Sequence, residues 1–207
     1  LKNEIFIISS QRLMNRVVDR LHLDVDYTTT QALHTVALYN KQRPFEVLFQ
    51  RPVGLKGYGF TVEKTGANTV HISNLHDRKG NDCPDIDAQL GEMVNTPNGP
   101  MCIVRSTSFN RWPEGAKVNV SRMTNEEATD AYIARLSASE YDKETSLIVL
   151  TLSDISVKRA DDVLRTLFDV YREDVVDNKN RVALSTANFI DKRITLIGSE
   201  LGNVESR

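Results

Sequence analysis

Cysteine is scarce in this chain: Cys83 and Cys102 are the only two among 207 residues. Two are too few for a disulfide framework, and they lack the paired spacing of a zinc site. One bridge between them, if the compartment is oxidising, and two thiols both stay open. Long apolar runs are missing as well. None approaches the ~20 residues that a membrane-spanning helix needs, and no basic start with an apolar middle opens the chain. Nor is one charge sign in excess: 26 Lys and Arg against 28 Asp and Glu give a net charge of -2, with the two signs interspersed. Without a basic stripe, nucleic acid is not expected as a partner. The phosphate-cradling GxxxxGK[ST] stretch is absent, and Gly54, Gly57 and Gly59 fall at GxxGxG spacing, which is not that of a dinucleotide loop.

Glycine and proline are absent from Ser156 to Ile197, and there the apolar residues recur at spacings of three and four. Ala160, Val163, Leu164, Leu167, Val170, Tyr171, Val175, Val182, Ala183, Phe189, Ile190, Ile194 and Ile197 form one long amphipathic pattern, continued by Leu201 and Val204. A helix of about 50 residues measures roughly 75 Å, far beyond the usual length in a globular domain. Such a helix requires a second surface, either another domain or copies of the same chain. The pattern stops at Arg207 without a terminating Gly-Pro signal, so the helix is expected to run on in a longer polypeptide.

Before that stretch the chain reads as helix, several strands, helix, strand. Asn3 to Leu23 is expected as one amphipathic helix with Ile5, Ile8, Met14, Val17, Val18 and Leu21 inward. After Pro44 the period falls to two, and short strands are expected at Phe45 to Phe49, Gly59 to Glu63, Thr69 to Leu75, Met101 to Arg105 and Val118 to Arg122. Turns at Gly66-Ala67-Asn68, Lys79-Gly80-Asn81 and Pro97-Asn98-Gly99-Pro100 separate them and favour antiparallel pairing. Thr124 to Glu127 reads as a capping box opening a helix to about Leu136. The apolar run Leu147 to Leu150 suits a buried central strand. The expected fold is α+β, a mixed and largely antiparallel sheet with helices on one face and a very long protruding C-terminal helix. Residues 1–155 form the base and 156–207 the helix.

Chemistry-bearing residues do not converge in the sequence. His22, His34, His71 and His76 lack the spacing of a zinc site or of a Ser/His dyad. Asp77, Asp82, Asp85 and Asp87 lack the regular spacing of a calcium loop, and His76 to Asp82 reads as a solvated hairpin turn. No catalytic residue, cofactor or metal is expected. The candidate functional residues are instead the alternating charges of the long helix, Arg172, Glu173, Arg181, Lys192, Arg193 and Glu200, as an oligomer interface.

Several stretches in order resemble the periplasmic region of Wzz-type polysaccharide co-polymerases, the chain-length determinants, and most of all the subfamily fused to a cytoplasmic tyrosine autokinase. They are Asn3 to Ser10 with Val17, Val18 and Leu21; Leu38-Tyr39 with Pro44 to Val47; Thr96 to Gly99; Ala160 to Leu164 with Tyr171; and Ala187 to Ile194 leading to Glu200-Leu201 and Val204-Glu205. The resemblance implies a domain at the periplasmic face of the inner membrane that assembles into a homo-oligomeric ring. Such a ring sets the length and export of a capsular, exopolysaccharide or O-antigen (lipopolysaccharide) polymer. Its implied partners are a polysaccharide polymerase, the nascent glycan and an outer-membrane export protein, and a tyrosine kinase domain belongs to the implied parent. A periplasmic adaptor of a transport assembly is the alternative, and would show two antiparallel helices rather than one.

Overall fold

The computed structural model describes residues 2–50, 53, 54, 56–77, 79–142 and 146–205, and for 198–205 the backbone alone. Two short helices, α1 (Lys2–Ile8) and α2 (Gln11–Leu21), open the chain. One continuous helix was expected here. Ser10 breaks it: its backbone is extended, and its hydroxyl accepts the Leu13 N–H at 3.5 Å, starting a new helix. Leu13, Met14, Val17 and Val18 then bury one face of α2.

Eleven strands follow among the described residues: β1 (Val25–Gln31), β2 (His34–Ala37), β3 (Phe45–Phe49), β4 (Tyr58–Lys64), β5 (Thr69–Ser73), β6 (Ile86–Gln89), β7 (Met93–Thr96), β8 (Gly99–Arg105), β9 (Lys117–Arg122), β10 (Leu136–Glu140) and β11 (Ile148–Leu152). Helix α3 (Asn125–Ile133) lies between β9 and β10, and α4 (Val157–Glu205) ends the chain. The fold is α+β. A six-stranded sheet has the order β2-β1-β9-β4-β5-β6, a three-stranded sheet the order β3-β8-β7, and β10 pairs with β11. Every described pairing is antiparallel.

The two larger sheets share one core. Phe45, Val47, Met101 and Ile103 from the three-stranded sheet join Tyr27, Phe60, Val62, Val70, Ile72, Val118 and Val120 from the six-stranded one. Tyr27 joins them by chemistry as well, since its hydroxyl accepts the Val47 N–H at 3.0 Å and its ring meets Phe45 edge-on at 5.8 Å. Lys64 is buried, and among the described residues no carboxylate pairs with it. Its ammonium donates to the carbonyls of Phe109 (3.3 Å) and Trp112 (2.7 Å) and sits 4.7 Å from the Phe109 ring, which offsets desolvation of the charge.

The capping box forms as the sequence predicts: Thr124 Oγ1 accepts the Glu127 N–H at 3.0 Å, and Glu127 Oε2 accepts the Thr124 N–H at 2.8 Å. Glu127 does more than cap. The same oxygen accepts the Gly57 N–H at 2.9 Å, and a Cβ on Gly57 would stand 2.6 Å from the Arg122 carbonyl, so no side chain fits there. Two other expectations need correcting. Helix α3 stops at Ile133 and Leu136 belongs to β10, because the chain turns into the β10-β11 hairpin there. The apolar run near Ile148 is no buried central strand, since among the described residues β11 pairs with β10 alone and Val149 is 40% exposed. Cys83 and Cys102 are free thiols. Cys102 lies in β8 opposite Leu48 and Met93, whereas Cys83 precedes the edge strand of the other sheet.

A buried ion cluster holds the start of α4. Ser156 Oγ accepts the Arg159 N–H at 3.3 Å, and the Ser156 N–H donates to Asp154 at 2.8 Å, closing the first turn. Arg159, 4% exposed, donates to both oxygens of Asp154 (2.8 to 3.1 Å) and to Asp26 of β1 at 2.6 Å. Arg135 reaches Asp154 at 3.3 Å and stacks over Tyr132 at 4.2 Å. Burial opposes the Arg159 charge, but hydrogen bonding to Asp154 and the fields of Asp26, Tyr132 and Asp154 outweigh it and raise its pKa.

Removing one partner strands a buried charge, so Arg159→Ala is expected to lower stability by about 3–5 kcal/mol in urea unfolding. Arg165→Ala, which breaks an exposed pair with Asp161 on the same helix, is the control and leaves the midpoint unchanged. Equal midpoints for the two variants contradict this account of the cluster.

Candidate functional site

By contact density the chain divides into Leu1–Leu167 and Phe168–Arg207, and the second unit consists of α4 alone. Its helix is continuous through Asn178 and Asn180, and Arg181 donates to Asn178 Oδ1 at 2.8 Å one turn back. Thr186 and Thr195 donate their hydroxyls to the carbonyls four residues earlier, at 2.9 Å each, so these polar residues are satisfied within the helix.

What this helix leaves unsatisfied is apolar. Val176 (55%), Ile190 (49%), Ile194 (63%) and Ile197 (48%) are exposed. With Ala183 and Ala187 they stand at separations of seven, four, three, four and three, and the sequence repeats the step at Leu201 and Val204. That is a heptad seam. A second line at strict seven-residue spacing, Val182 (59%), Phe189 (63%) and Leu196 (53%), runs beside it. From Val176 to Ile197 the two lines cover about 32 Å of helix. Monomeric proteins seldom expose so many large apolar side chains in lines along one element.

The charged residues expected to line one flank do not do so. At about 100° per residue they spread around the helix. Arg181 and Lys192 share a face with Leu184, Ser185, Asn188 and Phe189. Arg193 falls between the two apolar lines, where its aliphatic stem can extend either of them. Arg172 sits 5.8 Å over the Phe168 ring, and Glu173 is exposed on another side. The Glu200 side chain lies outside the described residues. The seam was missed because the sequence was read at helical period 3.6; its signal is the alternation of three and four after Ala183.

In the first unit the histidines and aspartates take up local structural work. Asp77 accepts the Lys79 and Asn81 N–H groups (2.8 and 2.9 Å) and closes the turn, and His76 pairs with Asp82 at 2.9 Å. His71 of β5 holds Asp87 of β6 through Nδ1 at 2.7 Å and Asp85 through Nε2 at 3.2 Å. The two carboxylates sit on opposite ring nitrogens, so the ring bridges them and the three do not converge on one point. Among the described residues no group of three or more His, Cys, Asp or Glu has a metal-binding arrangement. Gly57 and Gly59, set aside as a nucleotide loop, line a cleft of about 560 Å³ with Lys56, Tyr58, His76 and Lys79. Among the described residues no helix is long and apolar enough to cross a membrane.

No family model matches the chain. No curated protein matches it either. Among solved structures, two crystal structures of Xanthomonas campestris FlgL are similar to part of it. The first (space group H3) has 16% identity and a TM-score of 0.28, over 76% of this chain and 50% of that one. The second (space group C2) has 14% identity and a TM-score of 0.24, over 83% and 54%. The chain therefore spans about half the length of those proteins, and at these scores the likeness carries no argument about fold or function. The resemblance to Wzz-type co-polymerases is overturned, since neither the family models nor the curated proteins return such a protein. The stretches that suggested it serve general needs here: Ser10 caps α2, Phe45 and Val47 fill the core, and Thr96 to Gly99 make a hairpin turn.

The His71 pair sets a pH expectation. The hydrogen bond to Asp87 acts first, burial opposes it, and Asp85 adds to it, so the imidazole pKa lies above its ordinary value. A raised folded-state pKa stabilises fully below the unfolded value and is lost as pH rises through the folded one. The β5-β6 tie is thus firm at mildly acid pH and slackens above the His71 midpoint. NMR titration is expected to place that midpoint higher in the native protein than in Asp87→Asn, and equal midpoints contradict the assignment.

Proposed function

We propose that this chain works by assembly: the long helix α4 packs against the long helices of other copies. The observation that carries the reading is the pair of apolar lines between Val176 and Ile197, exposed at every large side chain and spaced as in coiled coils. A heptad seam needs a helix of matching period, and another copy supplies one by construction. The second line stands apart from the seam across the column of Lys179, Thr186 and Arg193, so each helix has an apolar line for a neighbour on either side, as closed rings and bundles require. A length-setting role in export of a surface polysaccharide is proposed on this assembly alone, because the family resemblance that first suggested it does not stand. Location at the periplasmic face of the inner membrane is proposed on the same ground.

Sedimentation of the full chain over a range of concentrations tests the reading. Fully burying an Ile is worth ~1.5–3 kcal/mol, so Ile190→Asp with Ile194→Asp is expected to weaken self-association by roughly a hundredfold or more. Charge reversal at Arg181 and Arg193 is expected to act less strongly, through pairing at the margins. Unchanged association in the double Asp variant, with its helical signal intact, contradicts the proposal.

A further inference from the structure

A different part of the molecule carries a second association element, independent of α4. Strand β11 pairs with β10 in a two-stranded ribbon, in register Leu136↔Leu152 through Glu140↔Ile148. Ribbons of two strands are marginal by themselves. The Tyr141 N–H donates to the Leu147 carbonyl at 3.0 Å, and the Ser153 N–H to the Arg135 carbonyl at 3.1 Å. Since inward and outward backbone groups alternate along an antiparallel strand, odd-numbered residues of β11 face β10 and even-numbered ones face away. Ile148, Leu150 and Leu152 therefore direct their N–H and C=O groups to the outer edge, where no strand pairs among the described residues.

The strand's own sequence carries none of the usual edge protection. Leu147 to Leu152 reads Leu-Ile-Val-Leu-Thr-Leu, with no charge, proline or glycine. Natural edges carry Lys, Pro or a bulge to prevent pairing. Apolar side chains occur on both faces: Leu147 (58%) and Val149 (40%) are exposed, while Ile148, Leu150 and Leu152 are half-buried. This is the composition of a central strand placed at an edge.

We propose that β11 pairs with β11 of a second copy, antiparallel across a two-fold axis through Leu150. An uncharged apolar strand is complementary to itself, with no like charges brought together. The longest overlap sets Leu150 opposite Leu150 of the other copy, Ile148 opposite Leu152, and Val149 opposite Thr151. Two ribbons become one four-stranded sheet, with Ile148, Leu150 and Leu152 of both copies on one face.

The register makes a specific test. In the full chain carrying Cys83→Ser and Cys102→Ser, directly opposed Cα atoms stand about 5.5 Å apart, within disulfide reach. Leu150→Cys is expected to oxidise to a covalent dimer, Ile148→Cys alone to form no cross-link, and an equimolar mix of Ile148→Cys and Leu152→Cys chains to cross-link as heterodimer. Adding Thr151→Lys, an exposed substitution, is expected to slow the Leu150→Cys reaction about tenfold by lowering the effective concentration. The Ile190→Asp and Ile194→Asp changes in α4 leave the Leu150→Cys dimer in place, which separates the two elements. The mixed pair keeps Leu150 intact, so it reports even if Leu150→Cys unfolds the ribbon. No covalent dimer from either the single variant or the mix, or a covalent dimer from Ile148→Cys alone, overturns a second copy as the occupant and leaves the edge to another segment or another protein.

Discussion

Arg159 and Asp154 form the contact on which the rest depends. A guanidinium and a carboxylate, both nearly out of water, are stable only while each keeps its partners, and here the partners come from distant parts of the sequence. Asp26 belongs to β1, Arg135 closes α3, and Asp154 follows β11. The first turn of α4 thus gathers the six-stranded sheet, α3 and the hairpin to one point. Hydrophobic burial alone would tolerate sliding; the fixed fork of Arg159 on Asp154 does not.

Two features then stand out against the satisfied core. Inside, Lys64, Tyr27 and Glu127 each have defined partners, and the apolar residues of both sheets close on one another. By contrast, the seam of α4 shows exposed apolar side chains, and the outer edge of β11 pairs with no strand among the described residues. They differ in kind. The helix offers side chains in a seven-residue repeat, whereas the strand edge offers hydrogen-bonding groups. Both ask for more protein.

Much of the fold was legible because its signals are local. The capping box at Thr124, the strand after Pro44, the turns at Gly66 and Asn98 and the long helix beyond Ser156 each depend on a few neighbouring residues. The break at Ser10 was missed because the apolar pattern crosses it, and a serine hydroxyl leaves no mark on periodicity. Leu136 was given to α3 for the same reason: its spacing from Tyr132 is helical, but pairing with Leu152 decides its state. The Arg159 cluster was invisible, since Asp26 lies 133 positions away. For the candidate surface, the sequence reading went to the charges of the long helix. Charges were chosen for alternating sign, while the exposed side chains that form lines along the helix are apolar.

In-cell photo-cross-linking from Phe189 tests the central claim that the apolar lines of α4 are covered by other copies. A photoreactive phenylalanine replaces Phe189 in cells that make the protein, with the same residue at exposed Thr195, which lies on neither line, as control, and the adducts are identified by mass. The account predicts a Phe189 adduct at twice the mass of the chain, made of two copies of it and much weaker from position 195. Adducts containing only other proteins, or none at all, would contradict it.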